Sequence, residues 1–239
     1  MVIYEGPSML DGSPIVAIAT DGTSNEKTGD MIQVWILCAD QAPHHAIVTG
    51  RDSAVCGNCP HRRGTGGACY VIPFQAPLAV WTAYMNHSYN DFDVDFFEAR
   101  QVRFGAYGDP AAVPFEYWAP ILDVCDRDAS TGYTHQLDHV NFDPRILMFC
   151  QVSVDTPRQA MRAHARGLKT FRIAGDASKR LPGEIECLAD SAGITCADCG
   201  LCNGQEQSIV IAGHGSRINP AKLHDVRIGI PLTDIIARA

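Results

Sequence analysis

Short runs of consecutive apolar residues, separated by polar and glycine-rich segments, dominate the hydrophobic pattern of the chain. Runs of four to eight apolar residues bounded by turn residues are typical of buried strands. We predict strands over residues 14–20, 31–38, 45–49, 102–107, 132–135, 146–154, 170–174 and 208–212, with a weaker one over 228–230.

Helical periodicity is rarer and falls between these runs. Leu78, Trp81 and Met85 recur at three- and four-residue spacing, which is typical of one buried helix face. Thr156 followed by Pro157 is a helix start signal, and Gly167 is the matching stop. We predict helices over residues 77–89, 115–127, 156–167 and 232–238, and a long loop over 176–204.

The second half of the chain alternates strand and helix, which indicates parallel strands joined by crossover helices. We therefore predict a single α/β domain over residues 1–239, built as an irregular or partial TIM-like (β/α) barrel with cysteine-bearing loops. An open doubly wound sheet is the alternative. Functional sites in parallel α/β folds lie at the carboxyl ends of strands. The polar residues that follow predicted strands, and are our predicted cofactor-binding residues, are Asp109, Asp155, Asp176 and His214.

Composition and net charge indicate which kinds of molecule the protein binds. The chain has 239 residues, of which 46% are hydrophobic and 19% charged, with a formal net charge of −8. This acidic balance argues against nucleic acid as the main partner, because phosphate binding needs a basic face. No apolar run has the length of a membrane span, and the first residues lack the features of a signal peptide. We expect a cytoplasmic protein that does not bind membranes, with a small molecule or a redox protein as its partner.

The ten cysteines carry the strongest chemical signal in the sequence. In a reducing compartment their clustering indicates metal binding, and disulfides are the less favoured alternative. Three cysteines in a C-x2-C-x2-C run, with a fourth upstream, match the spacing that wraps an iron–sulfur cluster. A four-thiolate zinc site is the alternative. We call these four the C-terminal cysteine set: Cys187, Cys196, Cys199 and Cys202.

A second cysteine group lies on a Gly- and Arg-rich loop with the spacing C-x2-C-x9-C. Glycines let the backbone approach a cluster and donate N–H groups to its sulfurs. We call Cys56, Cys59 and Cys69 the Gly-rich cysteine set. Three thiols need a fourth ligand, for which Cys38 is the first choice and Cys125 and Cys150 follow. The other alternative is a site with only three protein ligands and an open iron.

Other polar residues give weaker signals. His135 and His139 are four residues apart, a spacing that metal ligands on a helix often use. No Glu accompanies them as in a zinc protease, and we expect hydrogen-bonded structural histidines. Cys125 and Cys150 lie in apolar segments and are expected to be core residues unless they serve as ligands.

Three features together resemble an uncharacterised cysteine-rich family common in bacteriophage and prophage genomes. They are the Gly-rich cysteine set closing at Cys69–Tyr70, the segment 102–110 followed by 132–135, and the C-terminal cysteine set. The resemblance extends from Cys56 to Ser216. It implies a phage-encoded protein in the host cytoplasm and does not imply a reaction.

The strand–helix alternation with cysteine loops also resembles the radical S-adenosylmethionine enzymes, which are partial TIM barrels carrying an open-site cluster. Their C-x3-C-x2-C signature is absent from this chain. We therefore predict an iron–sulfur protein with one or two [4Fe–4S] clusters in a redox or structural role. The alternatives are a radical-S-adenosylmethionine-like enzyme and a zinc-stabilised structural or interaction protein, with a zinc-stabilised nucleic-acid accessory protein as a further class.

Overall fold

The computed structural model describes residues 1–22, 25–213 and 223–224. Nine strands form within these residues and join one sheet in the order β1-β2-β3-β4-β5-β6-β7-β9-β8. The strands are β1 Val2–Pro7, β2 Pro14–Thr20, β3 Ile32–Cys38, β4 Val102–Tyr107, β5 Thr131–Thr134, β6 Gln151–Val154, β7 Thr170–Ala174, β8 Glu184–Glu186 and β9 Ser208–Ala212.

The first three strands are antiparallel, and all later neighbours pair in parallel. From β3 to β7 each new strand joins the same edge of the sheet, and only β9 breaks this order by inserting between β7 and β8. Within the described strands β1 and β8 are the two edges, so the sheet is not closed. The chain thus has a mixed α/β fold with a mostly parallel sheet.

Seven α-helices within the described residues connect these strands, and most of them are short. The two longest are α3 and α5, which lie in the β3–β4 and β6–β7 connections. The helices are α1 Pro43–Thr49, α2 Ser53–Cys56, α3 Ala76–Met85, α4 Ala119–Val124, α5 Pro157–Ala165, α6 Leu188–Ser191 and α7 Cys196–Cys199. No described helix has both the length and the apolar character that a membrane crossing requires.

The main core forms around the first part of the sheet. β3 is buried along its whole length, which explains its continuous apolar sequence. Phe104 on β4 packs edge-on against Trp118, with ring centroids 5.7 Å apart, and also against Phe149 at 4.6 Å. The Trp118 indole N–H donates to the Pro110 carbonyl at 3.0 Å, so its polar edge is satisfied in the core.

Most predicted strands and the two longest helices are confirmed. The capping box between Thr156 and Gln159 forms at the start of α5, as its sequence indicates. The strand predicted over 45–49 is wrong, because Pro43 starts helix α1 there and Gly50 ends it in a left-handed conformation. The strand predicted over 146–154 is wrong in its first half, because Asp143 caps a 3-10 turn over Pro144–Met148.

Three further differences concern segments outside the strong apolar runs. The helix predicted over 115–127 is a 3-10 turn, Phe115–Tyr117, followed by the short helix α4. The loop predicted over 176–204 contains β8, α6 and α7. Strand β1 was not predicted. The elements predicted over 228–230 and 232–238 lie outside the described residues.

Candidate functional site

One cavity of about 310 Å³ receives side chains from both cysteine sets. Its walls include residues at or just after the carboxyl ends of the parallel strands, among them Asp109 after β4 and His135 after β5. β7 and β9 contribute apolar side chains, including Phe171 and Ile211. The cavity therefore lies where parallel α/β folds place their functional sites.

Every member of the C-terminal cysteine set lines this cavity. Cys187 follows β8 directly, whereas Cys196 and Cys199 are the first and last residues of α7. Helix α7 is held in place because the Cys196 N–H donates to the Lys27 carbonyl at 2.9 Å. Gln101 also donates from Nε2 to the Ala197 carbonyl at 2.8 Å.

The environment of these thiols favours their neutral form in the absence of a ligand. Burial raises the pKa of Cys187, Cys196 and Cys202, and neighbouring thiols of the same set raise each of them further. For Cys202 the pKa rises to about 12 although a hydrogen bond with Tyr133 acts in the opposite direction. Binding of a metal by these thiols therefore requires the loss of their protons.

Two cations accompany the C-terminal cysteine set. The Arg103 guanidinium donates to the Tyr70 hydroxyl at 2.7 Å and interacts electrostatically with Cys196. Among the described residues, no carboxylate lies within ion-pair distance of Arg103. Lys27 pairs with Asp190 at 2.5 Å and also interacts with Cys187 and Cys196. Asp190 also acts on Cys187, so Arg103 is the cation near the set that no described carboxylate pairs with.

The Gly-rich cysteine set lines the same cavity. Burial raises the pKa of Cys56 and Cys69, and the Cys59 thiol raises both further. The loop is tied by the Cys69 N–H, which donates to the His61 carbonyl at 2.8 Å. The Arg62 guanidinium forms an ion pair with the buried Asp52 at 2.6 Å, so its charge is already balanced and does not offset the charge of thiolates in this set.

The structure does not place a fourth cysteine with this set. Cys38 is buried at the end of β3, does not line the cavity, and its Sγ lies 3.4 Å from the Arg51 carbonyl. Cys125 hydrogen-bonds with Ser130. Cys150 is 1% exposed within the main core, as expected of a core residue.

A group of two histidines and one aspartate lies beside the Gly-rich cysteine set. The Asp155 carboxylate Oδ1 is 2.7 Å from His61 Nε2 and 3.6 Å from His135 Nε2. Burial would lower the pKa of His135, but hydrogen bonds to Asp155 and Cys59 outweigh it and raise that pKa to about 10. Hydrogen bonds with His135 and His61 hold the pKa of Asp155 well below its usual range against the effect of burial.

The sequence indicates only one member of this group as a site residue. Asp155 is predicted because it follows a strand, whereas His135 is predicted to be structural and no pattern indicates His61. The position of His135 directly after β5 was the available signal, since it is the same signal that selected Asp155 after β6.

The other predicted cofactor-binding residues have different surroundings. Asp109 lines the cavity and is buried, which raises its pKa. Its carboxylate accepts from the backbone N–H groups of Ala111 and His135, so it shapes the turn after β4 and fixes His135. Asp176 does not line the cavity and accepts from the Ser178 N–H at 3.0 Å. His214 lies outside the described residues.

The separation of the thiols bears on which metal they fit. Four sulfurs around one tetrahedral zinc ion, each at about 2.3 Å, lie about 3.8 Å from one another. Among the described residues, no three cysteine sulfurs lie within 4.8 Å of one another, and His61, His135 and Asp155 form the one group that meets this limit. The thiols are thus spread more widely than a single ion requires.

No family model, no curated protein and no solved structure matches this chain. The function is therefore argued from the site.

Proposed function

We propose that this chain is an iron–sulfur protein in which the C-terminal cysteine set binds one [4Fe–4S] cluster. The observation that carries this proposal is the arrangement of four cysteines around one cavity with a spacing wider than that of a single-ion site. A cubane cluster has its four irons at separate corners, so its thiolate ligands stand further apart than those of one zinc ion.

The charges around the set support an anionic occupant. Arg103 presents a positive charge near Cys196 and has no ion-pair partner among the described carboxylates. A cluster held by four thiolates carries net negative charge, which such a cation offsets. Four neutral thiols would leave the Arg103 charge without an ion-pair partner among the residues that the structure describes.

The Gly-rich cysteine set supports a second cluster in the same way, but it supplies three thiols where the C-terminal cysteine set supplies four. Its three thiols line the cavity, and the other cysteines that line it belong to the C-terminal cysteine set. A cluster bound there would have one iron without a thiolate.

The role of the clusters is redox or structural. An iron–sulfur cluster supplies one-electron transfer when bound. The ligands of the C-terminal cysteine set lie directly after β8, in α7 and after α7, and these segments otherwise contribute few core residues. Cluster binding would therefore also contribute folding free energy to this end of the sheet. The strand order, which grows at one edge from β3 to β7, supports a partial barrel as the scaffold.

The experiment that tests this proposal is metal analysis of protein made and purified without oxygen. We expect iron and acid-labile sulfide in equal amounts, about four of each per cluster. Colourless protein with stoichiometric zinc and no sulfide would establish the zinc alternative instead.

A radical-S-adenosylmethionine-like enzyme is the second candidate. It is favoured by one observation, namely that the Gly-rich cysteine set brings three thiols, besides the four of the C-terminal cysteine set, to a cavity large enough for a small ligand. Electron paramagnetic resonance of the reduced protein with and without S-adenosylmethionine tests it. A changed cluster signal and release of 5′-deoxyadenosine would support the enzyme, and an unchanged signal would contradict it.

A further inference from the structure

The group formed by His61, His135 and Asp155 has the donor atoms of a metal site that contains no cysteine. Its three ligand atoms all lie within 4.8 Å of one another. Two donors bound at about 2.1 Å to one ion, at the angles of tetrahedral or octahedral coordination, lie about 3 Å apart. Asp155 Oδ1 lies 2.7 Å from His61 Nε2 and 3.6 Å from His135 Nε2, one distance below and one above this 3 Å separation. Small side-chain shifts would therefore bring the three donors to the separation that one ion needs.

The three side chains are held from different parts of the chain, each by its own backbone bonds. His135 N–H donates to Asp109 Oδ2 at 2.8 Å, and Asp155 N–H donates to Gln159 Oε1 at 2.9 Å. His61 belongs to the loop closed by the Cys69 N–H. Because the backbone fixes each residue independently, the three donors converge without the ordering of a flexible segment.

We propose that His61, His135 and Asp155 bind one divalent transition-metal ion at the carboxyl ends of β5 and β6. Two imidazoles and one carboxylate suit iron(II), manganese and zinc, and three protein ligands leave coordination positions open for water or a substrate oxygen. Both histidines line the cavity, so an ion bound by them is reachable from it. The side chains are 19–24% exposed, which gives an ion access from solvent.

The alternative is a trio in which the carboxylate accepts hydrogen bonds from both imidazoles and no ion binds. The two arrangements differ in what they do with an added cation. A hydrogen-bonded trio is complete by itself, whereas a metal site takes up one ion per chain and releases protons as it does so. The ligands of this site include no thiol, although His135 also contacts Cys59 of the Gly-rich cysteine set.

Manganese(II) is the probe that separates this site from the cysteines. It is a hard ion that prefers carboxylate and imidazole over thiolate. We would titrate Mn²⁺ into anaerobically purified full-length protein and follow the six-line resonance of free Mn²⁺, which disappears on binding. We expect one saturable Mn²⁺ site per chain.

Variants locate the site. Asp155→Asn and His61→Ala should each weaken Mn²⁺ binding by at least about tenfold. Asp176→Asn is the matched control, because Asp176 also follows a strand but does not belong to the group of three converging donors, and it should leave binding unchanged. Circular dichroism checks that each variant is folded. If Asp155→Asn does not fold, the Mn²⁺ affinity of His61→Ala alone decides whether the ion binds at this site.

Two results would overturn the proposal. One is the absence of saturable Mn²⁺ binding to the wild-type chain. The other is binding that survives unchanged in folded Asp155→Asn or His61→Ala. Iron and sulfide content, measured on the same samples, reports separately on the clusters, so failure of one proposal is not confused with failure of the other.

Discussion

Arg172 and Glu184 form a fully buried ion pair that links β7 to β8 across the intervening strand β9. The guanidinium donates from Nε to Oε1 at 2.8 Å and from Nη2 to Oε2 at 2.6 Å, and both side chains are 0% exposed. The same carboxylate accepts from the Leu181 N–H at 2.8 Å. Because β8 runs directly into Cys187, this ion pair fixes the position from which one predicted cluster ligand starts.

Replacing Glu184 with Gln should therefore destabilise the fold strongly. The substitution leaves the Arg172 charge buried without a partner, which typically costs about 3–5 kcal/mol in the free energy of unfolding. Urea unfolding followed by circular dichroism measures it. Glu186→Gln, on the same short strand, is the control and should change the free energy of unfolding by less than about 1 kcal/mol. Equal losses in the two variants would show that the pair is not the anchor of β8.

Gly57 has a conformation that only glycine tolerates well, and it lies directly after Cys56. Its φ is +50°, and a Cβ there would stand 2.2 Å from Gln136 Oε1. Gln136 is buried and bonds the Cys56 carbonyl and the Asn58 N–H, so displacing it disrupts the Gly-rich cysteine set.

We expect Gly57→Ala to cost about 2–4 kcal/mol in the free energy of unfolding, from backbone strain and lost hydrogen bonds. Iron content should fall as well. Gly12→Ala tests the strain alone, since Gly12 also has positive φ but nothing lies within 4 Å of its added Cβ. That control should cost about 1 kcal/mol and leave iron unchanged. Full iron content in Gly57→Ala would argue against a cluster at this loop.

The division of the cysteines into ligands and core residues is tested by two serine variants. Cys199→Ser removes a thiol of the C-terminal cysteine set and should abolish one cluster, with loss of its iron and sulfide and a lower melting temperature. Cys150→Ser changes a buried residue packed close to Gly132 and Gly204, and iron content should stay at the wild-type value. Equal iron loss from both variants would show that this division is wrong.

The charge of Arg103 should tune the cluster at the C-terminal cysteine set. A nearby cation stabilises the reduced cluster, which carries one more negative charge. Arg103→Gln should therefore make the reduction potential more negative, on the order of tens of millivolts. Arg166→Gln, at the exposed end of α5, is the control and should not shift it. An unchanged potential in Arg103→Gln would mean that no cluster lies near Cys196.

The sequence predicts the parts of the fold that depend on strong local patterns. Continuous apolar runs identified β2 and β3, and the Thr156–Pro157 signal identified the start of α5. The apolar run over 146–154 predicts too long a strand, because Asp143 and Pro144 start a 3-10 helix that takes up the first residues of the run. β8 could not be predicted, since its three residues include two glutamates, one of which is buried only because it meets Arg172.

The same limit applies to the site. Cysteine spacing predicts which thiols gather, because short loops force neighbouring ligands together. It does not predict that both sets line one cavity, which follows from the order of the parallel strands. His61 and His135 meet Asp155 although they precede it by 94 and 20 residues in the sequence. Such tertiary contacts leave no local pattern in a single sequence.

The most direct test of the central claim is Mössbauer spectroscopy of the wild-type protein, made in ⁵⁷Fe medium and purified without oxygen. This measurement reports the chemical state of every iron atom in the sample. If the cysteine sets bind clusters, the iron should appear as the quadrupole doublets of [4Fe–4S] centres, with at least about four iron atoms per chain. Protein without iron, or iron present only as single thiolate-bound ions, would contradict the account.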